Sequence, residues 1–326
     1  MISKFSKIRK NWYDLTWWDE VVLPYLGRQV PEPVLNSVAR AYYFSKSDKF
    51  VSIPDADWDN LLILDACRYD IFDDVHDLNG ELKLRYSKGP QSPVFLEENF
   101  GERDFHDIVY VTANPYQKKK LNDDQFHRVY HVWKSGWDDE LKTVHPEVMN
   151  EVSQEAYEKY PNKRIIVHYM QPHMPFIGPW AREHIGIESG NEHERDRTLY
   201  GDFDEKLDNP YRKLRRGDID KEDVLKGYIE NLEVVLEFAG QLIEEFEGKS
   251  VVTSDHGEMF GERAWPYPWK LYQHDPPYMA EKLLQVPWLT TMNGERRTIE
   301  SEPPSQNAEA TEDRSVEDRL EHLGYR

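Results

Sequence analysis

Seven short strand-like runs, spaced so that helical patterns fit between several of them, constrain this chain more than any other feature. They are Leu61–Ala66, Leu82–Tyr86, Ile108–Thr112, Val129–Trp133, Ile165–Tyr169, Ser250–Thr253 and Val286–Thr291. Leu61–Leu64 is continuously apolar, as in a strand covered on both faces. The helical period is clearest in Val224–Phe246, where Leu225, Tyr228, Ile229, Leu232, Leu236, Ala239, Ile243 and Phe246 fall on helical spacing. Strands alternating with helices predict an α/β fold, a mainly parallel central sheet with helices on both faces. Such sheets bind ligands beyond the carboxyl ends of their strands. The residues that close each run are therefore where chemistry is expected.

The runs divide the chain into three regions. Residues 1–57 form an aromatic, helical or irregular extension, 58–293 the sheet domain with a polar insertion at 180–222, and 294–326 an acidic linker with a short C-terminal helix, Val316–Leu323. In the extension Lys4, Lys7, Arg9 and Lys10 lie beside Trp12, Trp17 and Trp18. Residues 1–18 are read either as a peripheral membrane contact or as a helix packing its tryptophans on the main domain. The 326 residues carry 61 acidic and 41 basic side chains, a formal charge of −20, which repels nucleic acid and anionic membranes at long range and excludes a general phosphate-backbone binder. An aromatic share of 13% excludes wholesale disorder. A single cysteine, Cys67, excludes an intramolecular disulfide and a cysteine-based zinc cluster. No stretch has the length of a membrane-spanning helix, and the first twenty residues lack the apolar core of a secretory signal, so the expected location is cytoplasmic.

Four segments carry candidate chemistry. Asp65 closes the first apolar run and reads as a helix N-cap or a ligand. Asp255 and His256 close a later run before Gly257 and Glu258, and an adjacent carboxylate and imidazole at a strand end grip a divalent cation from two directions. In His168–Pro179, His168 reads as a satisfied buried histidine, whereas His173, between Pro172 and Pro175, sits on a stiff loop suited to ligand or substrate contact. His274 lies between the Asp-His pair and the last run. Two further residues have competing readings: Arg68 pairs with a phosphoryl group or with Asp70 or Asp74, and Asn114 donates to substrate oxygen or starts an Asn-Pro turn.

These residues, in this order, resemble the alkaline phosphatase superfamily, especially its sulfatase-like and phosphoglycerol- or phosphoethanolamine-transferase branch, over residues 59–293. The ending Leu323-Gly324-Tyr325 looks like the close of many sulfatase-like chains. The resemblance implies an alkaline phosphatase-like fold. It also implies one divalent ion held by Asp65, Asp255, His256 and a nucleophilic Ser or Thr after the second strand, with His173 and His274 as catalytic, substrate-contacting residues. Ser87 and Ser92 offer that hydroxyl. Ser92 is preferred, because Ser92-Pro93 opens a helix whose N-terminus welcomes phosphate, although the same geometry serves a plain cap. The mixed carboxylate and imidazole set suits Mn²⁺ or Zn²⁺, with Mg²⁺ or Ca²⁺ as further options.

Departures from the family pattern narrow the expectation. Neither Cys67-Arg68-Tyr69-Asp70-Ile71 nor Ser92-Pro93-Val94-Phe95-Leu96 matches the C/S-x-P/A-x-R motif of formylglycine sulfatases, and the double Asp of arylsulfatases is Asp65-Ala66 here. Gln171 stands where two-metal phosphodiesterases carry Asp, so one metal is expected. The expected function is a metal-dependent hydrolase or transferase acting on a phosphomonoester or phosphodiester of a small molecule or glycan through a Ser nucleophile. The alternatives are a sulfate-ester hydrolase and a non-catalytic glycan- or partner-binding protein of the same fold.

Overall fold

A computed structural model describes residues 30–45, 49–187, 195, 208–274 and 276–305. The basic, tryptophan-rich segment 1–18, the helix expected at Val316–Leu323 and the ending Leu323-Gly324-Tyr325 lie outside the described residues. Seven strands form the main sheet: β1 Asn60–Asp65, β2 Glu81–Tyr86, β3 Phe105–Thr112, β4 Phe126–His131, β5 Arg164–Pro172, β6 Gly248–Ser254 and β7 Gln285–Asn293. Their order is β2-β7-β6-β1-β5-β3-β4, and β7 alone runs antiparallel to both of its neighbours. The principal helices are α1 Glu32–Phe44, α2 Tyr69–Val75, α3 Ser92–Phe100, α4 Pro146–Lys159 and α5 Lys221–Glu245.

Period-two alternation sorts the apolar side chains of the sheet into two layers. Leu62 and Leu64 of β1 join Val109, Val111, Ile165, Val167 and Val252 under the inner stripes of α4 and α5, including Val148, Val152, Leu232, Val235 and Ala239. Leu61 and Ile63 face the other way, with Tyr110, Ile166 and Val251, against Phe95, Leu96 and Phe100 around α3. Both faces of β1 are thus covered, and all six of its residues are buried. A chain so placed is rigid at its carboxyl end, where Asp65 sits.

All seven expected strands form, with shifted ends. The run read as Val129–Trp133 is Phe126–His131, because the chain turns into a helical segment at Val132–Ser135. The run Ile165–Tyr169 continues to Pro172, which carries Gln171 to the sheet edge. The ends of the polar insertion are ordered as short helices, Pro179–His184 and Pro210–Arg216, packed with Val224 and Tyr228 around Phe260. Residues 295–305, which composition reads as a flexible linker, are tied across the amino end of the sheet. Arg296 binds Asp57 and Asp59, Lys163 binds Glu302, and Ser305 N donates to His127 O.

Candidate metal centre and active site

Two turns build the site. After Asp65 the chain reverses through Ala66, whose φ of 59° is a conformation that costs a residue with a Cβ about 1–2 kcal/mol. What this geometry achieves is visible in its bonds: Ala66 N donates to Asp255 Oδ1 at 3.1 Å, and Tyr228 Oη donates to Ala66 O at 2.8 Å. The second turn follows β6. Gly257 N donates to Leu283 O, and a Cβ on Gly257 would collide with the carbonyl oxygen of Lys282. Glycine is required there because two backbone segments touch.

The first cluster lies between these turns. Ser92 Oγ is 2.7 Å from Asp255 Oδ2, 3.4 Å from Asp65 Oδ2 and 3.4 Å from His256 Nε2. His256 Nε2 is 3.4 Å from Asp255 Oδ2 and 3.7 Å from Asp65 Oδ1. Ligands about 2.0–2.1 Å from a tetrahedral metal ion stand roughly 3.3 Å from one another, so most of these separations match the edges of such a site. His256 Nδ1 bonds Gly257 O at 2.8 Å, which leaves Nε2 as the lone pair directed at the cluster. Asn114 Nδ2 donates to Asp65 Oδ2 at 2.7 Å and to Ser92 Oγ at 3.1 Å, while its Oδ1 accepts from Tyr116 N. Its turn-forming role and its place beside the cluster are two ends of one amide.

A second cluster adjoins the first. His173, Glu258 and His274 bring ligand atoms within 4.8 Å of one another. The His274 ring lies 4.4 Å from that of His256 and 5.2 Å from that of His173. His274 Nδ1 is 3.3 Å from both oxygens of Glu258, and His173 Nδ1 bonds Met174 O at 2.7 Å. The sequence singled out the two histidines but took Glu258 only as context for Asp255 and His256. Its full burial makes it their carboxylate partner.

Here the structure narrows three readings that the sequence left open and changes that of His168. Asp65 caps no helix: α2 begins at Tyr69, after Arg68. Ser92 is the first residue of α3 rather than its cap, and its hydroxyl bonds Asp255 instead of a backbone amide. His168 is only half satisfied. Nδ1 meets Tyr110 Oη at 3.0 Å, but the buried Nε2 has no hydrogen-bond partner and lies 3.8 Å from Asp255 Oδ2. The Arg68 guanidinium, offered as a phosphoryl contact, is occupied: it bonds both oxygens of Asp70 and Glu262 Oε1, and Asp74 is not its partner. Ser87 is also engaged, donating its hydroxyl to the backbone carbonyl of Asp255.

The electrostatics of the cluster follow from burial. Desolvation, followed by the charge of Asp255, pushes the Asp65 carboxyl well above the usual range. Asp255 is equally buried, yet His256, His168 and the Ser92 hydroxyl hold its carboxyl below that range. Without a cation, Asp65 therefore holds its proton to higher pH than Asp255 does. Burial keeps His256 below its ordinary value, and burial together with His274 pushes His173 down to about 4, so both imidazoles are neutral near pH 7 with lone pairs to offer. Glu258 stays ionised because His274, His173 and His256 outweigh its burial. Among the described residues, no lysine or arginine bonds Asp65, Asp255 or Glu258.

No family model and no curated protein matches the chain. Among solved structures, it is similar to the C-terminal periplasmic domain of phosphoethanolamine transferase EptC from Campylobacter jejuni, with 15% identity, 74% of this chain and 82% of the other covered, and a TM-score of 0.44. For the soluble domain of lipooligosaccharide phosphoethanolamine transferase A from Neisseria meningitidis the values are 13%, 71%, 75% and 0.43. For the lipoteichoic acid synthase LtaP from Listeria monocytogenes they are 13%, 75%, 66% and 0.40. These neighbours belong to the branch that the motif order resembles. Likeness at this level assigns no residue a role.

Proposed function

We propose that the chain is a metal-dependent hydrolase or transferase acting on a phosphate ester, with Ser92 as nucleophile and Asp65, Ser92, Asp255 and His256 holding one divalent ion. One observation carries this reading: the Ser92 hydroxyl, at the N-terminus of α3, lies within 3.4 Å of two buried carboxylates and a neutral imidazole that have no cation of their own. The mixed oxygen and nitrogen set suits Zn²⁺ or Mn²⁺ better than Mg²⁺ or Ca²⁺, which favour all-oxygen shells. Such an ion neutralises charge on the transferring group and lowers the pKa of the hydroxyl it contacts.

The residues then divide the work. Ser92 loses its proton to solvent, its Oγ attacks phosphorus, the bond to the leaving alkoxide breaks, and a phosphoserine forms. Asp255 Oδ2, 2.7 Å away, holds the hydroxyl in line, and Asn114 fixes it against Asp65. Protonating the alkoxide falls to His274, which is paired with Glu258, rather than to His173, whose pKa of about 4 leaves it neutral. Water or an acceptor hydroxyl attacks phosphorus in the second step and releases Ser92. The substrate class is a phosphorylated small molecule or glycan.

The test pairs stoichiometry with turnover. Wild-type protein loaded with Zn²⁺ or Mn²⁺ is expected to bind about one ion tightly per chain, and Asp255→Ala/His256→Ala to lose it. Ser92→Ala should keep most of the metal affinity yet lose at least about 10³-fold in turnover of a phosphodiester such as bis-p-nitrophenyl phosphate. Turnover by Ser92→Ala at the wild-type rate would remove Ser92 from the mechanism. Absence of specific metal binding would remove the mechanism itself.

A further inference from the structure

Exposed large hydrophobic side chains are not scattered over this molecule. Among the described residues seven are exposed, and six of these, Val30, Val34, Val38, Tyr42, Phe44 and Trp265, lie on or against α1, with exposures of 37–56%. Val30, Val34, Val38 and Tyr42 recur every fourth residue, which aligns them along one side of the segment leading into and along α1. Trp265 extends the row from a different segment, its ring 4.8 Å from that of Tyr42. Ser37 and Ala41 fill the spaces between, and the only acidic residue of α1 is Glu32, in its first turn. The opposite side of the helix is committed: Leu35, Ala39 and Tyr43 pack with Tyr86, Met259, Leu283 and Leu284, next to the segments that carry Ser87 and Glu258.

We infer that this row docks onto the surface of an anionic phospholipid bilayer. Three observations select that occupant. Among the described residues, the row is a ridge on a helix rather than a groove with walls to grip a peptide. Its six side chains fall far short of the about 20–30 residues a side that a stable protein interface uses. Aliphatic residues edged by Tyr and Trp have the composition of a helix lying at a lipid–water boundary. Charge is divided: the formal charge of −20 opposes an anionic surface at long range, whereas the first ten residues hold Lys4, Lys7, Arg9 and Lys10 with no acidic residue, separated from Val30 by a stretch that carries Asp14, Asp19 and Glu20. No helix among the described residues is long and apolar enough to cross a membrane. That the docked enzyme would take phosphoesters from lipid headgroups rests on the function proposed above; the docking itself does not.

Binding is therefore read without substrate or metal. The full chain is floated with phosphatidylcholine vesicles, with and without phosphatidylglycerol. Wild type is expected to float with the anionic vesicles, and Val34→Asp/Val38→Asp to weaken partitioning at least about tenfold while melting at the wild-type temperature. Cys67 is buried, so an environment-sensitive dye on Val38→Cys reports this position and should shift to the blue on the same vesicles. Three outcomes overturn the proposal: wild type that stays with the soluble fraction, an Asp double variant that binds undiminished while neutralising Lys4, Lys7, Arg9 and Lys10 abolishes binding, or a solution dimer that the Asp substitutions split.

Discussion

Asp59 and Asp65 bracket the same strand and have opposite environments. Both are buried. At the amino end Asp59 receives Arg296 Nε and Nη2 at 2.8 and 2.9 Å and Lys249 N at 2.7 Å. At the carboxyl end Asp65 faces Asp255, Ser92 and Asn114 and, among the described residues, meets no lysine or arginine. A buried carboxylate answered by an arginine of its own chain is complete as it stands. One left beside a second carboxylate and neutral imidazoles is a place prepared for a cation from outside. The difference separates a structural acid from a functional one without reference to any relative.

Removing each charge tests that separation most strongly. Asp59→Asn removes the buried one of the two carboxylates on Arg296, leaving Asp57, and should destabilise the protein by about 1–3 kcal/mol, with or without metal. Asp65→Asn substitutes an amide for a group whose charged form burial and Asp255 disfavour when no metal is bound. It should alter the metal-free protein by less than about 1 kcal/mol while abolishing the rise in melting temperature on adding Zn²⁺. Thermal melts of both variants with and without metal decide the matter, and equal losses in the metal-free proteins would erase the distinction.

A smaller effect sharpens it. A cation entering the first cluster must displace the proton on Asp65, so metal affinity should rise about tenfold per pH unit below the raised pKa of that carboxyl and level off above it. Calorimetry in two buffers of different ionisation enthalpy should register about one proton released per ion, and none in Asp65→Asn. Release of no proton from the wild type would mean that Asp65 is ionised before the metal arrives.

Much of this comparison was legible in the sequence, on one side only. Asp65, Asp255 and His256 stood out because each ends an apolar run, and Ser92 because Ser-Pro opens a helix. The seven strands were legible from short strand-like runs, continuous and apolar in β1 and alternating in β2. Glu258 and His168 were hidden by burial on every side, which removes the period that tells an inward residue from an outward one. Nothing local to His168 announces that Asp255, far along the chain, leaves its Nε2 unanswered. The amino-end pairs were hidden more completely. Residues 295–305 have the composition of a linker, and only the fold brings Arg296 to Asp59 and Glu302 to Lys163.

Asp70 and Asp65 lie five positions apart and should drive stability in opposite directions with pH. Burial raises the Asp70 carboxyl, but Arg68 and Lys282 more than offset it and hold it below the usual range. Its folded pKa being depressed, Asp70 contributes stability above the unfolded value, and that contribution fades as pH falls below about 4. The group is partly exposed, so solvent screening limits the effect to about 1 kcal/mol. Asp65 is raised, so in the metal-free protein its contribution is complete at acid pH and is lost as pH rises through its folded pKa. Urea titrations across the acid range should show Asp70→Asn flattening the acid limb and Asp65→Asn flattening the slope above it. If one substitution removed both slopes, the two carboxylates would be titrating as one network, and the unpaired acid would be joined to the paired one through Arg68 rather than reserved for a cation.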